Sequence, residues 1–296
     1  MRWLARLIVA GYFVVATLPL LWMALTSLKA KDDAISLHPR FVPTLAAPAG
    51  DGAAGAPVDD ERVTFAATLG AYAKLGEVHV GARASYFEHL GNSVVIGLLS
   101  TALSVALGTL AAYGFSRFKV AGAKDWLFFI LSTRFMPPLA VVIPVLIMYR
   151  ELGLLASHAG LVLLYTAFNL SLAVWLMKGF IDEIPRAFEE AALVDGYTRL
   201  QAFFRVILPQ ARTGMAVTAV FCLISSWNEY GFAMTLNSSG ALTVPAYFAG
   251  LQGNLEGMPW PQVAAGALIF VAPIVLFTFL VRNHLLRGMT FGTIKQ

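Results

Sequence analysis

The sequence is poor in charge: Asp, Glu, Lys and Arg make up 13% of its 296 residues, against about 25% in an average soluble domain. It has one cysteine, Cys222, inside an apolar run, which excludes an intrachain disulfide and a cysteine zinc cluster and reports little about redox compartment. No lysine follows a glycine, so there is no Gly-x-x-x-x-Gly-Lys-[Ser/Thr] phosphate loop and the chain does not hydrolyse ATP by that device. No H-E-x-x-H, G-x-S-x-G or paired-cysteine pattern points to an embedded enzyme or a resident metal or cofactor. The pI near 9.2 raises the question of nucleic acid. A basic stripe and aromatic-interleaved RNA-binding runs are both missing, and nucleic acid is not an expected partner.

What is abundant is apolar surface. Hydrophobic residues reach 58%, mean hydropathy is +0.72, and long runs of low charge mark membrane spans. The runs fall at Trp3–Leu28, Asn92–Phe115, Trp126–Tyr149, Gly160–Lys178, Gly214–Leu236 and Val263–Val281. The expected fold class is therefore an all-α membrane protein with about six transmembrane helices in the lipid bilayer. The first run lacks a small-residue cleavage site after a short apolar core and reads as an uncleaved anchor. Residues 1–29 thus form an N-terminal transmembrane helix, 30–89 an extracytoplasmic insertion and 90–296 a core domain. Within the insertion, Ala46–Asp60 is rich in Ala, Gly, Pro and Asp and reads as poorly ordered. Phe65–Leu75 and Tyr86–Leu90 read as short helices. With the N-terminus inside, Arg117, Lys119, Lys124, Lys178, Arg186, Arg199, Arg205, Arg212, Arg282, Arg287 and Lys295 all fall on one face. That asymmetry sets both termini in the cytoplasm by the positive-inside rule.

The most informative segment is the charged one at residues 182–214. Pro185 can occupy a first helical turn, and Glu189 and Glu190 follow where carboxylates suit the helix dipole. Gly196 can close that helix in a left-handed conformation. Thr198 with Gln201 then reads as a capping box opening a second, interfacial helix that runs to Pro209. Small Ala191 and Ala192 permit close approach of a partner surface, while Glu190 and Asp195 offer charge. An ordinary amphipathic connector at the membrane surface is the plain alternative.

Glu190-Ala191-Ala192, Asp195-Gly196 and Ile207-Leu208-Pro209 resemble the E-A-A–x–x–x–G loop of bacterial ABC importer permeases, in particular the carbohydrate (maltose-type) branch. Pro19–Lys29, Asn92-Ser93, Ala112–Arg117 and Trp227–Tyr230 resemble other family segments in the same order. Tyr197 stands where a small residue is usual and Thr213 where a second proline is common. The resemblance implies a type I ABC importer permease fold with a cytoplasmic coupling helix, in the bacterial inner membrane. It implies as partners two nucleotide-binding ATPase subunits that hold the ATP and Mg, a second homologous permease and an extracytoplasmic solute-binding protein. The coupling residues would be Glu189, Glu190, Ala191, Ala192, Asp195, Gly196 and Pro209, and the cargo a sugar or sugar alcohol moved inward by alternating access. The S-T-R-F-M-P-P and M-Y-R-E-L-G-L runs look most like polyol- and glycoside-type permeases.

For the solute pathway the residues themselves offer candidates. Arg134 sits about 12 Å into the third span, from eight residues at ~1.5 Å rise. Pro137, Pro138 and Pro144 follow it and break that helix. An intramembrane arginine beside a broken helix marks a functional site, bonds the freed carbonyls or pairs with a partner subunit. Ser225, Ser226, Trp227, Asn228 and Glu229 supply amide, carboxylate and an aromatic platform for hydroxylated ligands, or helix-to-helix bonds or a binding-protein contact. Asn169 is a third candidate, with bonding to a neighbouring helix as its alternative. A rival class is a self-sufficient channel or secondary carrier using Arg134 and Glu229; the internal repeat such a carrier should carry is not evident.

Overall fold

The computed structural model describes residues 2–44, 63–78, 84–237, 240–251 and 257–290, and it is helical nearly throughout. Helix α1 is Arg2–Ser27. Two three-residue strands, β1 (Val42–Thr44) and β2 (Thr64–Ala66), pair in parallel with Pro43 opposite Phe65. There follow α2 (Gly70–Lys74), α3 (Tyr86–Arg117), α4 (Ala123–Ser132), α5 (Pro138–Glu151), α6 (His158–Asp182) and α7 (Arg186–Val194). Then come α8 (Arg199–Gln210), α9 (Arg212–Trp227), α10 (Gly231–Leu236), α11 (Val244–Gly250) and α12 (Trp260–Thr290). Among the described residues, four helices, in α1, α3, α6 and α12, are long and apolar enough to cross a membrane, and the count reaches six if the bent pairs α4–α5 and α8–α9 are one span each.

Several boundaries differ from the sequence reading, each for a local reason. Residues 64–66 are a strand rather than the start of a helix, because Thr64 and Phe65 favour extended backbone and find a partner in Val42–Thr44. Thr44 Oγ1 also donates to the Phe65 carbonyl at 3.0 Å. Tyr86–Leu90 is no separate helix but the opening of α3, which runs on through Gly91. The fifth span stops at Trp227, and its expected continuation to Leu236 is the separate helix α10. The sixth is longer than expected at both ends. Pro185 lies just before α7 with extended ψ rather than within its first turn. The Ala46–Asp60 stretch falls outside the described residues.

The break expected in the third span is present at Pro137-Pro138, whereas Pro144 stays inside α5 without breaking it. α4 ends in one tight turn, Thr133–Phe135, and Met136 and Pro137 are extended, with ψ of 124° and 125°. Each of these two precedes a proline, which disfavours the helical region for the residue before it. The two halves meet at 94°. The junction of α8 and α9 bends by 72°. There Phe203–Ile207 form a π turn just before Pro209, a widening that accommodates a residue unable to donate a helical N–H.

Contacts divide the chain into two compact units, residues 1–89 with 247–273 and residues 90–246 with 274–296. In the first, Tyr86 is fully buried, its hydroxyl donates to the Gly266 carbonyl at 2.6 Å, and its ring meets Tyr247 edge-on at 5.6 Å. Gln262 Nε2 donates to the Lys74 carbonyl at 3.1 Å. Lys29, almost fully buried, lies over the Trp22 ring at 4.4 Å and near Phe65 at 5.3 Å. Burial lowers its pKa from the ordinary lysine value, while the charge of Asp33 opposes that shift.

In the second unit α3, α6 and α9 pack through small and hydroxylated side chains, the interface chemistry that suits helices in lipid. Ser100 Oγ donates to Ser226 Oγ at 3.1 Å, and Asn169 Nδ2 donates to the same oxygen at 2.8 Å. At Gly108 the backbones come so close that an added Cβ would lie 2.5 Å from Ala173 Cβ.

Candidate functional site

Two places carry the residues singled out from sequence, and both lie within the second unit. The first is the α7 elbow. Gly196 has φ of +87°, its N–H reaches the Leu193 carbonyl at 3.1 Å, and the Tyr197 N–H reaches that of Ala192 at 3.0 Å. This pair of bonds is the Schellman closure for which a residue without Cβ is favoured. Two residues on, Thr198 Oγ1 accepts from the Gln201 N–H at 3.3 Å while Gln201 Oε1 accepts from the Thr198 N–H at 2.9 Å, completing the capping box. Helix, forced turn and second helix are thus set by local chemistry alone.

The seven elbow residues divide by face. Glu190, Ala191, Asp195, Gly196 and Pro209 are exposed; Ala192 and Glu189 are buried. Beside the exposed acids stand large apolar side chains in the open: Phe188 at 51% exposure and Val194 at 88%. Glu189 points the other way. Its Oε1 accepts from the Tyr113 hydroxyl at 2.7 Å, and its Oε2 lies 3.2 Å from Arg117 Nε as an ion pair without hydrogen-bond alignment. Below it, Ala112, Tyr113, Met177, Ile181, Ile184, Phe203, Ile207 and Ala211 form one apolar cluster. So α7 rests on the spans by one side and presents acids and apolar groups on the other.

The second place is a cleft of about 260 Å³ at the break in the third span, lined by Arg134, Met136, Pro138, Tyr165, Phe168, Asn169, Ser225, Ser226, Glu229 and Phe232. It brings together three candidates from separate parts of the chain: Arg134 at the break of the third span, Asn169 of α6 and Glu229 between α9 and α10. The Arg134 guanidinium reaches the Phe168 carbonyl at 3.3 Å and Asn169 Oδ1 and Ser225 Oγ at 3.4 Å each. These are long contacts to neutral acceptors. Glu229 is engaged elsewhere: it accepts from the Tyr165 hydroxyl at 2.5 Å and from the N–H groups of Phe232 and Ala233 at 2.9 and 3.2 Å, capping α10. Asn169 makes the helix-to-helix bond, donating from its amide nitrogen to Ser226 on α9, and its oxygen accepts from Arg134.

Trp227 and Asn228 do not line this cleft. Trp227 is buried, with its ring 3.3 Å from where a Cβ on Gly97 would stand. Asn228 is exposed and donates to the Ile224 carbonyl at 2.9 Å. Tyr165, Phe168 and Phe232 were missed from sequence; they sit in apolar runs where nothing separates a lining aromatic from a packing one. A larger groove of about 630 Å³ lies between Leu127, Phe128 and Leu131 of α4 and Trp175 of α6. It is apolar apart from one end, where Glu183 lies and Lys178 and Asp182 pair at 2.5 Å, and it gathers none of the candidate site residues.

These features define a multi-span helical membrane protein with a short helix resting on the ends of its spans and a polar cleft at a broken helix. A family model described as binding-protein-dependent transport system inner membrane component matches residues 104–290, and the chain belongs to that family. It is 30% identical to the probable ABC transporter permease protein y4oR of Sinorhizobium fredii, over 94% of this chain and 90% of that one. It is 34% identical to the trehalose transport system permease protein SugB of Mycobacterium tuberculosis, over 69% of this chain and 75% of that one. Among solved structures, a bacterial ABC transporter involved in the import of the acidic polysaccharide alginate has a chain of the same fold. It matches with a TM-score of 0.70 at 20% identity over 95% of each chain.

Proposed function

We propose that the chain is a permease subunit of an ATP-driven importer for a sugar or sugar-alcohol type solute, with ATP and Mg bound by separate ATPase subunits. The observation that carries this reading is the α7 elbow, a nine-residue helix anchored by its buried side and closed at Gly196. Its other side exposes Phe188, Glu190, Ala191 and Val194. An apolar surface edged with carboxylates, held rigidly at the end of the spans, suits a basic groove on an ATPase. The positive-inside rule puts that elbow and both termini in the cytoplasm, where the nucleotide is. Two ATPases, a second homologous permease and an extracytoplasmic binding protein complete the assembly.

In this reading the Arg134 cleft is the solute-facing part of the subunit. Arg134 offers donors whose partners among the described residues are neutral, Glu229 lines the cleft with a carboxylate, and Tyr165 and Phe168 offer flat apolar walls. Such a set fits hydroxyl-rich solutes. When nucleotide closes the ATPases, α7 moves with them and the spans lining the cleft reorient, so the cleft faces one side at a time. Expression with the neighbouring genes' products tests the proposal. ATPase subunits should co-purify through α7, and their activity in proteoliposomes should rise with solute-loaded binding protein. Transport by this chain alone, without ATPase, would instead establish a self-sufficient carrier.

A further inference from the structure

The Ala112–Arg117 run, A-Y-G-F-S-R, closes α3 and ends at the elbow. Two of its side chains, Tyr113 and Arg117, converge on the same carboxylate, that of Glu189. The Arg117 and Glu189 side chains are 4% and 6% exposed, so this is a buried charge pair. Arg117 does more: Nη2 donates to the carbonyls of Ile181 at 3.1 Å and Ile184 at 2.7 Å, where α6 ends and the linker to α7 begins. In the opposite sense, Arg186 at the start of α7 donates to the Ser116 carbonyl at 2.9 Å. The Tyr113 ring also packs against Phe203 of the π turn, with centroids 4.6 Å apart and the planes tilted by 47°.

Burying a charge pair is a poor way to gain stability, since desolvation offsets most of the attraction. An apolar contact would hold α7 to the spans at less cost. What it would not do is resist sliding, because apolar packing is non-directional, whereas a carboxylate that accepts the Tyr113 hydroxyl is fixed in distance and angle, and the Arg117 charge beside it, itself tied to the Ile181 and Ile184 carbonyls, adds an attraction that weakens as the two separate. The pair also joins three chain segments at one point: the end of α3, the end of α6 and the inner face of α7.

We propose that Glu189, Arg117 and Tyr113 form an internal strut that makes α7 and the end of α3 move as one body, so that displacement received at the exposed face of α7 reaches the spans. Glu189 is then a positioning residue rather than a docking residue, and its neighbour Glu190 is the one that meets the partner. The inference rests on the coupling role given above.

The test uses the complete complex with its ATPase in nanodiscs, with buried Cys222 exchanged for Ala and spin labels at Ala187 and Lys119. Both of these positions are exposed, one on α7 and one just past α3. In the otherwise native chain the label distance stays the same with and without ATP–vanadate. With Glu189→Gln or Tyr113→Phe it shifts or broadens only on trapping, by about 2 Å or more, the scale of interhelical shifts in switching proteins. A pair with a merely structural role would loosen the distance equally in both states, and that result overturns the strut. So does an unchanged distance in both variants, or a native distance that itself moves on trapping. If Glu189→Gln does not accumulate, Tyr113→Phe, which removes one hydroxyl, decides alone. Failure of any ATPase to co-purify with the native chain would sink the coupling role itself, a separate outcome.

Discussion

The elbow turn offers a graded test, because Gly196 sits where conformation and space can be told apart. Its φ is +87°, and a Cβ built there meets nothing within 4 Å. A side chain at 196 therefore meets only the cost of the left-handed backbone, about 1–2 kcal/mol for Ala and less for Asn, which visits that region more readily. Proline is different in kind. It fixes φ near −65° and removes the N–H that reaches the Leu193 carbonyl at 3.1 Å, at about 3 kcal/mol or more. Because about 1.4 kcal/mol is tenfold in an equilibrium, Gly196→Ala should lower the properly closed elbow by about 5- to 30-fold. Gly196→Asn should cost less and Gly196→Pro about a hundredfold or more. The readout is solute imported per ATP hydrolysed in proteoliposomes of the whole complex, with membrane insertion matched between variants. Equal losses for Ala and Pro, or Asn worse than Ala, would refute the reasoning; steric contact with a partner would then govern the site.

Other perturbations follow from the same geometry. Gly108→Ala should lower the melting temperature in detergent, since the new methyl would meet Ala173 Cβ at 2.5 Å and backbone at 3.0 Å; overpacking of this kind costs about 1–3 kcal/mol. An unchanged melting curve would mean that α3 and α6 are not in such close contact. Arg134→Gln should reduce uptake by about 10- to 100-fold, the equivalent of the ~1.5–3 kcal/mol in a hydrogen bond to a charged group, while ATPase co-purification stays intact; uptake equal to the native level would remove Arg134 from the pathway. Thr198→Ala should fray α8 by about 1 kcal/mol, the usual worth of an N-cap, seen as faster amide exchange at residues 200–202, whereas Thr198→Ser should exchange like the native chain.

Features governed by local chemistry are legible in the order of the residues alone. The Asp195-Gly196 end of α7, the Thr198–Gln201 box and the kink at Pro137-Pro138 each depend on residues a few positions apart. What escaped depends on partners far along the chain. Glu189 and Glu190 are alike in type and adjacent, yet successive helical residues point about 100° apart. Only the position of Tyr113 and Arg117, more than 70 residues earlier, decides which carboxylate turns inward. The end of the fifth span at Trp227 is similar. Its apolar run continues past that point, and the break is fixed by Glu229 capping α10 while holding Tyr165 of α6. Pairing of Val42–Thr44 with Thr64–Ala66 is likewise non-local. In the cleft, the polar candidates were legible because Arg and Glu are rare in spans; Trp227, Tyr165 and Phe168 were not sorted, since an aromatic in an apolar run carries no mark of the face it occupies.

The central claim is that the exposed side of α7 meets a nucleotide-driven partner on the cytoplasmic face. A cysteine at Ala191, on that exposed side, tests it through thiol cross-linking in membranes during ATP turnover. The account predicts a cross-link to the ATPase subunit whose yield changes between nucleotide-free and vanadate-trapped states, and no labelling of intact cells by an impermeant maleimide. Labelling from outside, or turnover with no ATPase cross-link at all, would contradict it.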